Sequence, residues 1–181
     1  MQLLALSGSL RAASSNAILL QACRRLAPDN VQIMLYTDMG LLPHFNPDLE
    51  NQLPPIVADL RSRIAQADGL LISCPEYARG IPGSFKNLLD WLVASTTFPG
   101  KPVMLLNASP RACAAQAALR LVLNTMSAQL IDEAAITVQL LAKNMDEQQV
   151  AADTEIAVQL TQGLQAFVLA IRKHQETTAN P

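Results

Sequence analysis

A chain of 181 residues, half of them apolar, is long enough to bury the core of one domain, which excludes an intrinsically disordered protein. A formal net charge of −2 without a basic tract excludes the electrostatic footprint of nucleic-acid or anionic-membrane binding. The apolar runs are far shorter than the roughly 20 residues that span a membrane, and the spacing of the three cysteines matches no metal site.

The pattern of apolar residues predicts strands and helices that alternate along the chain. Residues 2–6 form a short apolar run without a basic segment before it, which indicates a first strand rather than a signal peptide. The odd number of cysteines favours reduced thiols, from which we expect a cytoplasmic protein. The further strands predicted from this pattern are 31–36, 68–74, 102–108 and one within 131–140. The predicted helices are 16–27, 56–66, 82–94, 112–128 and 146–172.

Five β–α units of this kind predict the α/β fold class, with a five-stranded parallel sheet in the order 2-1-3-4-5. We expect residues 1–175 to form a single domain and residues 176–181 a polar tail, with the chain frayed beyond Lys173. Ligands of such sheets bind outside the carboxyl ends of the strands, where the strand order reverses. The loops after the first, third and fourth strands are therefore the candidate site.

The loop after the first strand, residues 7–16, runs directly into a helix. Gly8 permits a tight turn, and four hydroxyls, the Asn16 amide and the Arg11 guanidinium surround a helix N-terminus, which suits a phosphate group. The alternative is that Ser14 or Ser15 only caps the helix, but a cap needs one hydroxyl and no arginine. The loop lacks both nucleotide-binding glycine motifs and a cysteine nucleophile, which leaves a bound cofactor phosphate as the interpretation.

The loop after the third strand, residues 75–83, is bounded by prolines and carries Tyr77 at the edge of the sheet. A flat ring system would pack against this tyrosine, with backbone groups at its edge. The alternative is a rigid turn with a surface tyrosine. Cys74 is predicted to be a packed core residue, and we assign no catalytic role to His44 or His174.

Together the two loops resemble the signatures of a known family. Gly8-Ser9-Leu10-Arg11-x-x-Ser14-x-Asn16 resembles the phosphate loop of the NADPH-dependent FMN reductases, a family that includes flavin, quinone, azo-dye and chromate reductases. The segment from Pro75-Glu76-Tyr77 through Asp90-Trp91 resembles the second signature of the same family. The resemblance spans roughly residues 1–140. It implies a flavodoxin-like three-layer sandwich.

The resemblance also implies the cofactor-binding residues. Those that would hold the FMN phosphate or lie in its loop are Ser9, Leu10, Arg11, Ser14, Ser15 and Asn16. Those that would line or flank the isoalloxazine are Pro75, Glu76, Tyr77, Ala78, Arg79, Gly80, Ile81 and Ser109. Ala78 stands where many members carry Asn, and the loop at 107–113 lacks the glycines of many relatives. We further hypothesise that Arg111 lies near the flavin or the nicotinamide phosphates; the alternative is a solvated surface arginine.

The function implied is an FMN-dependent oxidoreductase that passes electrons from NADPH or NADH to a small acceptor, such as a flavin or a quinone. The flavin would carry the chemistry, so we expect no catalytic side chain and no metal. The alternatives are a flavodoxin-like electron carrier without nicotinamide turnover and a binding module that has lost flavin. The resemblance also implies a homodimer or homotetramer formed through residues 82–94 and 38–55, and Lys86 and Asp90 are spaced to pair on one helix face.

Overall fold

The sheet of the computed structural model, which describes residues 1–11, 13–140 and 143–179, is parallel throughout. Its strands are β1 (Gln2–Ser7), β2 (Gln32–Tyr36), β3 (Gly69–Ser73), β4 (Pro102–Asn107), β5 (Gln129–Leu130) and β6 (Ile136–Thr137). The strand order is β2-β1-β3-β4-β5, and β6 pairs with β4 as well. The predicted order 2-1-3-4-5 is therefore confirmed.

Helices cover both faces of the sheet. They are α1 (Ser15–Arg25), α2 (Pro55–Gln66), α3 (Gly83–Asp90), α4 (Cys113–Thr125), α5 (Glu147–Ala152) and α6 (Thr154–Ala179). Alternate residues of β1 enter opposite cores: Leu3 and Ala5 join the core beneath α1, α5 and α6, while Leu4 and Leu6 join the core beneath α2, α3 and α4. Two cores separated by one sheet form the predicted three-layer sandwich of the flavodoxin-like fold.

The fifth strand differs from the prediction of a single strand within 131–140. It is divided into β5, which pairs with the start of β4, and β6, which pairs with its end. The short 3-10 helix Asp132–Ala134 separates the two. Asp132 is exposed in this helix and accepts a hydrogen bond from the Arg120 guanidinium of α4.

The C-terminal helical segment is also divided. Asp146 caps α5 in a capping box with Gln149, and Asp153 accepts a hydrogen bond of 3.1 Å from the Ile156 N–H at the start of α6. The expectation that the chain frays beyond Lys173 is wrong, because α6 continues to Ala179. The Gln175 side-chain amide donates to an Asp68 carboxylate oxygen at 2.9 Å, which anchors this last part of the helix.

The third helix is shorter than predicted, since α3 ends at Asp90 rather than at residue 94. The Trp91 carbonyl, which would continue the helical ladder, accepts hydrogen bonds from the Arg61 guanidinium at 2.6 and 2.9 Å instead. The predicted pair of Lys86 and Asp90 forms on the exposed face of α3. No helix among the described residues combines the length and the apolarity that crossing a membrane requires.

Candidate cofactor-binding cleft

The ends of three strands meet at one edge of the sheet. Ser7, at the end of β1, lies beside Ser73 at the end of β3, and β4 ends next to it at Asn107. The chain leaves the sheet at this edge in the loops that the sequence identified as candidates. The strand order reverses between β1 and β3, as expected of a ligand-binding edge.

A cleft with a volume of about 300 Å³ lies between these loops. Ten of the predicted site residues line it: Ser9, Arg11, Ser14, Ser15, Asn16, Pro75, Glu76, Tyr77, Ser109 and Arg111. Three lining residues were not predicted: Asn107, Ala108 and Ala112. Their position at the carboxyl end of β4 is the sequence signal that would have identified them, because every strand end at this edge contributes to the cleft.

The remaining five predicted residues do not line the cleft. Leu10 lies on the other side of the first loop, where one of its methyl carbons is 3.1 Å from the position that a Cβ on Gly40 would take. The other four continue the loop after β3 beyond the lining: Ala78, Arg79, Gly80 and Ile81. Ala78 and Arg79 are exposed to solvent.

Ser14 is the N-cap of α1, as the capping alternative proposed. Its hydroxyl oxygen accepts a hydrogen bond of 3.3 Å from the Asn16 N–H. The buried Asn16 side-chain oxygen in turn accepts a hydrogen bond of 2.8 Å from the Ser73 hydroxyl, which joins the first loop to β3. Capping does not account for the Arg11 guanidinium, which has no hydrogen-bond or ion-pair partner among the described residues.

Gly8 brings the first loop into direct contact with the end of β3. Its N–H donates a hydrogen bond of 2.8 Å to the Ser73 carbonyl. A Cβ at this position would lie 2.7 Å from the Cys74 Sγ and 3.0 Å from the Cys74 Cα, so only glycine fits. Burial raises the pKa of the Cys74 thiol to about 12, so it stays protonated at neutral pH and acts as a packed core residue.

The loop after β3 forms a tight hairpin at its tip. The Tyr77 N–H donates to the Gly80 carbonyl at 3.1 Å, and the Gly80 N–H donates back to the Tyr77 carbonyl at 3.0 Å. Both central residues have positive φ angles, 49° for Ala78 and 64° for Arg79, as a type I′ turn requires. Neither is a residue that favours this conformation, so the surrounding structure must hold the hairpin in place.

Two side-chain contacts hold the hairpin against its neighbours. The Tyr77 hydroxyl shares a hydrogen bond of 3.3 Å with the Ser9 hydroxyl of the first loop. A Glu76 carboxylate oxygen accepts a hydrogen bond of 3.0 Å from the Ala115 N–H in the first turn of α4. Since the N-cap residue Ala112 has no polar side chain, Glu76 supplies the cap of this helix from 39 residues away in sequence.

The loop after β4 is shaped by two local hydrogen bonds. The Asn107 side-chain oxygen accepts from the Ser109 N–H at 3.2 Å, and the Ser109 hydroxyl oxygen accepts from the Arg111 N–H at 3.3 Å. The Arg111 side chain lines the cleft, and none of the described residues forms a hydrogen bond or ion pair with its guanidinium. The loop therefore has a defined backbone with a positively charged group left open to a ligand.

Two residues of the second signature, Asn87 and Trp91, lie outside the cleft and fasten the long loop at 38–55. The Asn87 amide and the Trp91 indole N–H both donate to the Pro43 carbonyl, at 2.9 and 2.8 Å. The Asn87 side-chain oxygen accepts from the Phe45 N–H at 2.8 Å, and the Phe45 and Trp91 rings pack edge to face. These two signature residues are therefore structural supports.

The donor groups on the β1 side of the cleft fit a phosphate monoester. The N-terminus of α1 supplies backbone N–H groups and the positive end of a helix dipole. The Ser9 and Ser15 hydroxyls and the open Arg11 guanidinium line the same side. The Gly8 contact with Cys74 leaves no space for a side chain at the base of the turn. Among the described residues, no three or more histidine, cysteine or acidic side chains form a group able to hold a metal ion.

Comparison with known proteins identifies relatives that are similar to this chain in sequence and, where a structure is solved, in fold. The family described as NADPH-dependent FMN reductase matches residues 1–143. An NAD(P)H-dependent FMN reductase of Pseudomonas aeruginosa is 32% identical over 95% of this chain and 96% of its own length. The solved structure of FerB, a flavoenzyme NAD(P)H:(acceptor) oxidoreductase from Paracoccus denitrificans, is 31% identical with a TM-score of 0.85, over 96% of this chain and 98% of that one.

Two further relatives match over a shorter region. A 2-hydroxy-1,4-benzoquinone reductase of a Burkholderia species is 38% identical over 56% of this chain and 57% of its own length. A quinone reductase of Escherichia coli is 33% identical, and 60% of each chain is matched. In these matches the chain therefore spans less than two thirds of the relatives' length.

Proposed function

Because the chain belongs to the NADPH-dependent FMN reductase family, we propose that it is an FMN-dependent oxidoreductase that passes electrons from NAD(P)H to a small acceptor. The observation that carries this proposal is the cleft at the carboxyl edge of the sheet, where the loop at the start of α1, the hairpin that carries Tyr77 and the open Arg111 side chain converge. The overall reaction would be NAD(P)H + H⁺ + quinone → NAD(P)⁺ + hydroquinone, which balances two electrons and two protons.

The first loop would hold the phosphate of the cofactor. Ser9, Arg11 and Ser15, with the backbone N–H groups at the start of α1, would bind its oxygens. Ser14 and Asn16 also line the cleft, and their hydrogen bonds to each other and to Ser73 would keep the loop in the binding shape before the ligand arrives. Such preorganisation raises affinity because less conformational freedom is lost on binding.

The loops after β3 and β4 would form the two walls around the ring system. Pro75 and Tyr77 lie on one side, and Ala108, Ser109 and Ala112 lie on the other. Apolar and aromatic walls of this kind exclude water and orient a flat ring, while backbone groups at the rim supply hydrogen bonds. Bound FMN would supply the hydride and one-electron chemistry, and the protein would supply position and electrostatics.

We propose a quinone as the first acceptor to test and a free flavin as the second. The Burkholderia and Escherichia coli relatives are named as quinone reductases, and the Pseudomonas relative is named as an FMN reductase. An electron carrier without nicotinamide turnover is not favoured, because the relatives are named as enzymes: one as an NAD(P)H-dependent FMN reductase and the others as quinone reductases.

We also propose that the chain forms a homodimer or homotetramer. Large apolar side chains are exposed on the segments that follow β1, β2 and β3: Leu10, Leu41 and Tyr77 are exposed by 60%, 70% and 54%. Leu10 lies next to Gly40 in the loop at 38–55, and Val93 follows α3, so these side chains adjoin the segments implied by the family resemblance. Gel filtration with light scattering would test the assembly, and a monomer at working concentration would contradict it.

Flavin binding and nicotinamide turnover test the proposed function directly. The purified protein should bind FMN, show the flavin absorbance spectrum, and lose that absorbance rapidly when NADPH is added without oxygen. Arg11→Ala should weaken FMN binding by about tenfold or more, since hydrogen bonds to charged groups are among the strongest. Arg24→Ala, at the exposed far end of α1, is the matched control and should bind FMN normally. Unchanged FMN affinity in Arg11→Ala would contradict the proposed phosphate site.

A further inference from the structure

The cleft has a charge opposite to that of the whole chain. The described residues that line it include two arginines, Arg11 and Arg111, and one carboxylate, Glu76, a formal excess of one positive charge. The chain as a whole has a formal net charge of −2. A local charge of this sign favours anionic ligands and repels cationic ones.

The single carboxylate does not neutralise the arginines. Glu76 accepts a hydrogen bond of 3.0 Å from the Ala115 N–H and lies at the positive end of the α4 dipole. It has no ion-pair partner among the described residues, so its charge is directed toward the helix rather than toward Arg11 or Arg111. Both guanidinium groups therefore remain available to a ligand.

The two arginines belong to different parts of the cleft. Arg11 follows β1 and Arg111 follows β4, and β3 lies between these strands. Neighbouring strands are about 4.8 Å apart, so the two loops leave the sheet about 10 Å from each other, a distance comparable to the screening length of physiological salt. A phosphate at the start of α1 would engage Arg11 and leave Arg111 largely uncompensated.

The backbone around Arg111 is held by local contacts, while its side chain is open. The Ser109 hydroxyl oxygen accepts from the Arg111 N–H at 3.3 Å, and the Ser109 carbonyl accepts from the Ala112 N–H at 3.1 Å. The guanidinium has no acceptor among the described residues. Because the Arg111 backbone is held in place and its guanidinium is unpaired among the described residues, the side chain is suited to binding a negatively charged group on a ligand.

From these observations, and resting on the proposed function, we infer that Arg111 is a specificity-determining residue that binds the negative group of an anionic electron acceptor. The acceptor class is a planar aromatic quinone with an ionised hydroxyl, carboxylate or sulfonate substituent. The phosphates of NADPH are anionic, and a contact between them and Arg111 would appear in the KM for NADPH; the nicotinamide ring, neutral when reduced and cationic when oxidised, does not complement a guanidinium. An anionic acceptor does, and its carboxylate or sulfonate matches the paired donors of the arginine fork.

Equilibrium binding of two non-reducible probes tests this inference without turnover. Naphthalene-2-sulfonate is an anion, and naphthalene-2-sulfonamide is its neutral counterpart of nearly the same shape. The FMN-loaded protein should bind the sulfonate at least about tenfold more tightly by calorimetry, and Arg111→Gln should remove that preference. Arg111→Lys should retain part of it. Equal binding of the two probes by the wild-type protein would overturn the inference.

Steady-state kinetics with a second matched pair supplies the other readout. The anion 2-hydroxy-1,4-naphthoquinone and the neutral 2-methoxy-1,4-naphthoquinone differ by one methyl group. Arg111→Gln should lower kcat/KM for the hydroxyquinone by about tenfold and change that for the methoxyquinone, and the KM for NADPH, by less than about twofold. Arg120→Gln, on the outer face of α4 and paired with Asp132, is the control that should change neither.

Failure of the proposed function and failure of the inference about Arg111 would give different results. If the wild-type protein reduces neither quinone with NADPH or NADH, the proposed function itself fails. If it does reduce them, but Arg111→Gln reduces kcat/KM equally for both quinones or raises the KM for NADPH, then Arg111 acts on the cofactor or the nicotinamide and only the inference about the acceptor is overturned.

Discussion

The loop after β1 and the loop after β3 meet at the same edge of the sheet, but different contacts stabilise them. The first is shaped by hydrogen bonds between residues two apart, from the Asn16 N–H to Ser14 and from the Arg11 N–H to Ser9. The second contains two residues with positive φ and depends on the contact of Glu76 with Ala115, 39 residues away. The first loop therefore combines local hydrogen bonds with two contacts to Ser73, whereas the contact that fixes the second loop is made with a helix distant in sequence.

The largest effect is expected where the two loops touch. Gly8→Ala would place a methyl group 2.7 Å from the Cys74 Sγ and 3.0 Å from its Cα. Because one of these atoms belongs to the backbone, the chain at the end of β3 would have to shift to remove the overlap. Overpacking of this kind should lower the free energy of unfolding by about 2 kcal/mol, or Tm by roughly 4–8 °C. Calorimetry or circular dichroism of the thermal transition measures the change.

The same substitution should also make Cys74 more reactive. Burial raises its pKa to about 12, so the native thiol should resist alkylation at neutral pH, and displacement of β3 should expose it. Gly83→Ala is the matched control, because no atom lies within 4 Å of its Cβ position. Equal thermal transitions for the two variants would show that Cys74 moves aside without cost.

The next effect concerns the long-range support of the hairpin. Glu76→Ala removes the carboxylate that caps α4 and should lower stability by about 1 kcal/mol, because the Ala115 N–H loses its partner. Glu76→Gln retains an acceptor oxygen and should lose less. FMN affinity, measured by fluorescence titration, should fall with stability in the order wild type, Gln, Ala. An alanine variant with unchanged stability and unchanged FMN affinity would mean that other contacts hold the hairpin.

A smaller effect of opposite sign is expected at the tip of the hairpin. Ala78 has a φ of 49°, a conformation that asparagine adopts more readily than alanine. Ala78→Asn should therefore raise the free energy of unfolding by about 0.5–1 kcal/mol. Chemical denaturation with an unchanged denaturant dependence would establish the gain. A loss of stability would show that the exposed Ala78 methyl makes a contact that outweighs the backbone preference.

The smallest effect should come from the contact between the loops at the surface. Tyr77→Phe removes a hydrogen bond of 3.3 Å to Ser9 from a side chain that is 54% exposed. The stability change should stay below about 0.5 kcal/mol, since water replaces the lost partner. A double-mutant cycle with Ser9→Ala measures the coupling alone, and a coupling above about 1 kcal/mol would show that the bond stabilises the hairpin substantially.

Local patterns were sufficient to predict most of the fold and much of the cleft. The apolar runs at residues 2–6 and 68–74 are properties of neighbouring residues, and together with the alternating strands and helices they predicted the strand order correctly. The loop at 7–16 was predicted because its cap and hydroxyls lie within one turn of α1.

Features that depend on distant residues were not predicted. The 3-10 helix that divides β5 from β6 carries the ion pair of Asp132 with Arg120, and the end of α6 carries the contact of Gln175 with Asp68, 107 residues away. The cap that Glu76 provides to α4 has no signal in its own neighbourhood. Each of these contacts joins residues that only the assembled sheet brings together.

The hydrogen bond between Trp91 and the long loop at 38–55 has a practical consequence. Trp91 is the chain's only tryptophan, it is fully buried, and its indole N–H is held by the Pro43 carbonyl. Under excitation at wavelengths that the two tyrosines do not absorb, the emission of the protein therefore originates from one residue at one defined junction. Loosening of that junction would shift the emission to longer wavelength before the rest of the chain unfolds, so that the protein carries its own optical reporter for this region.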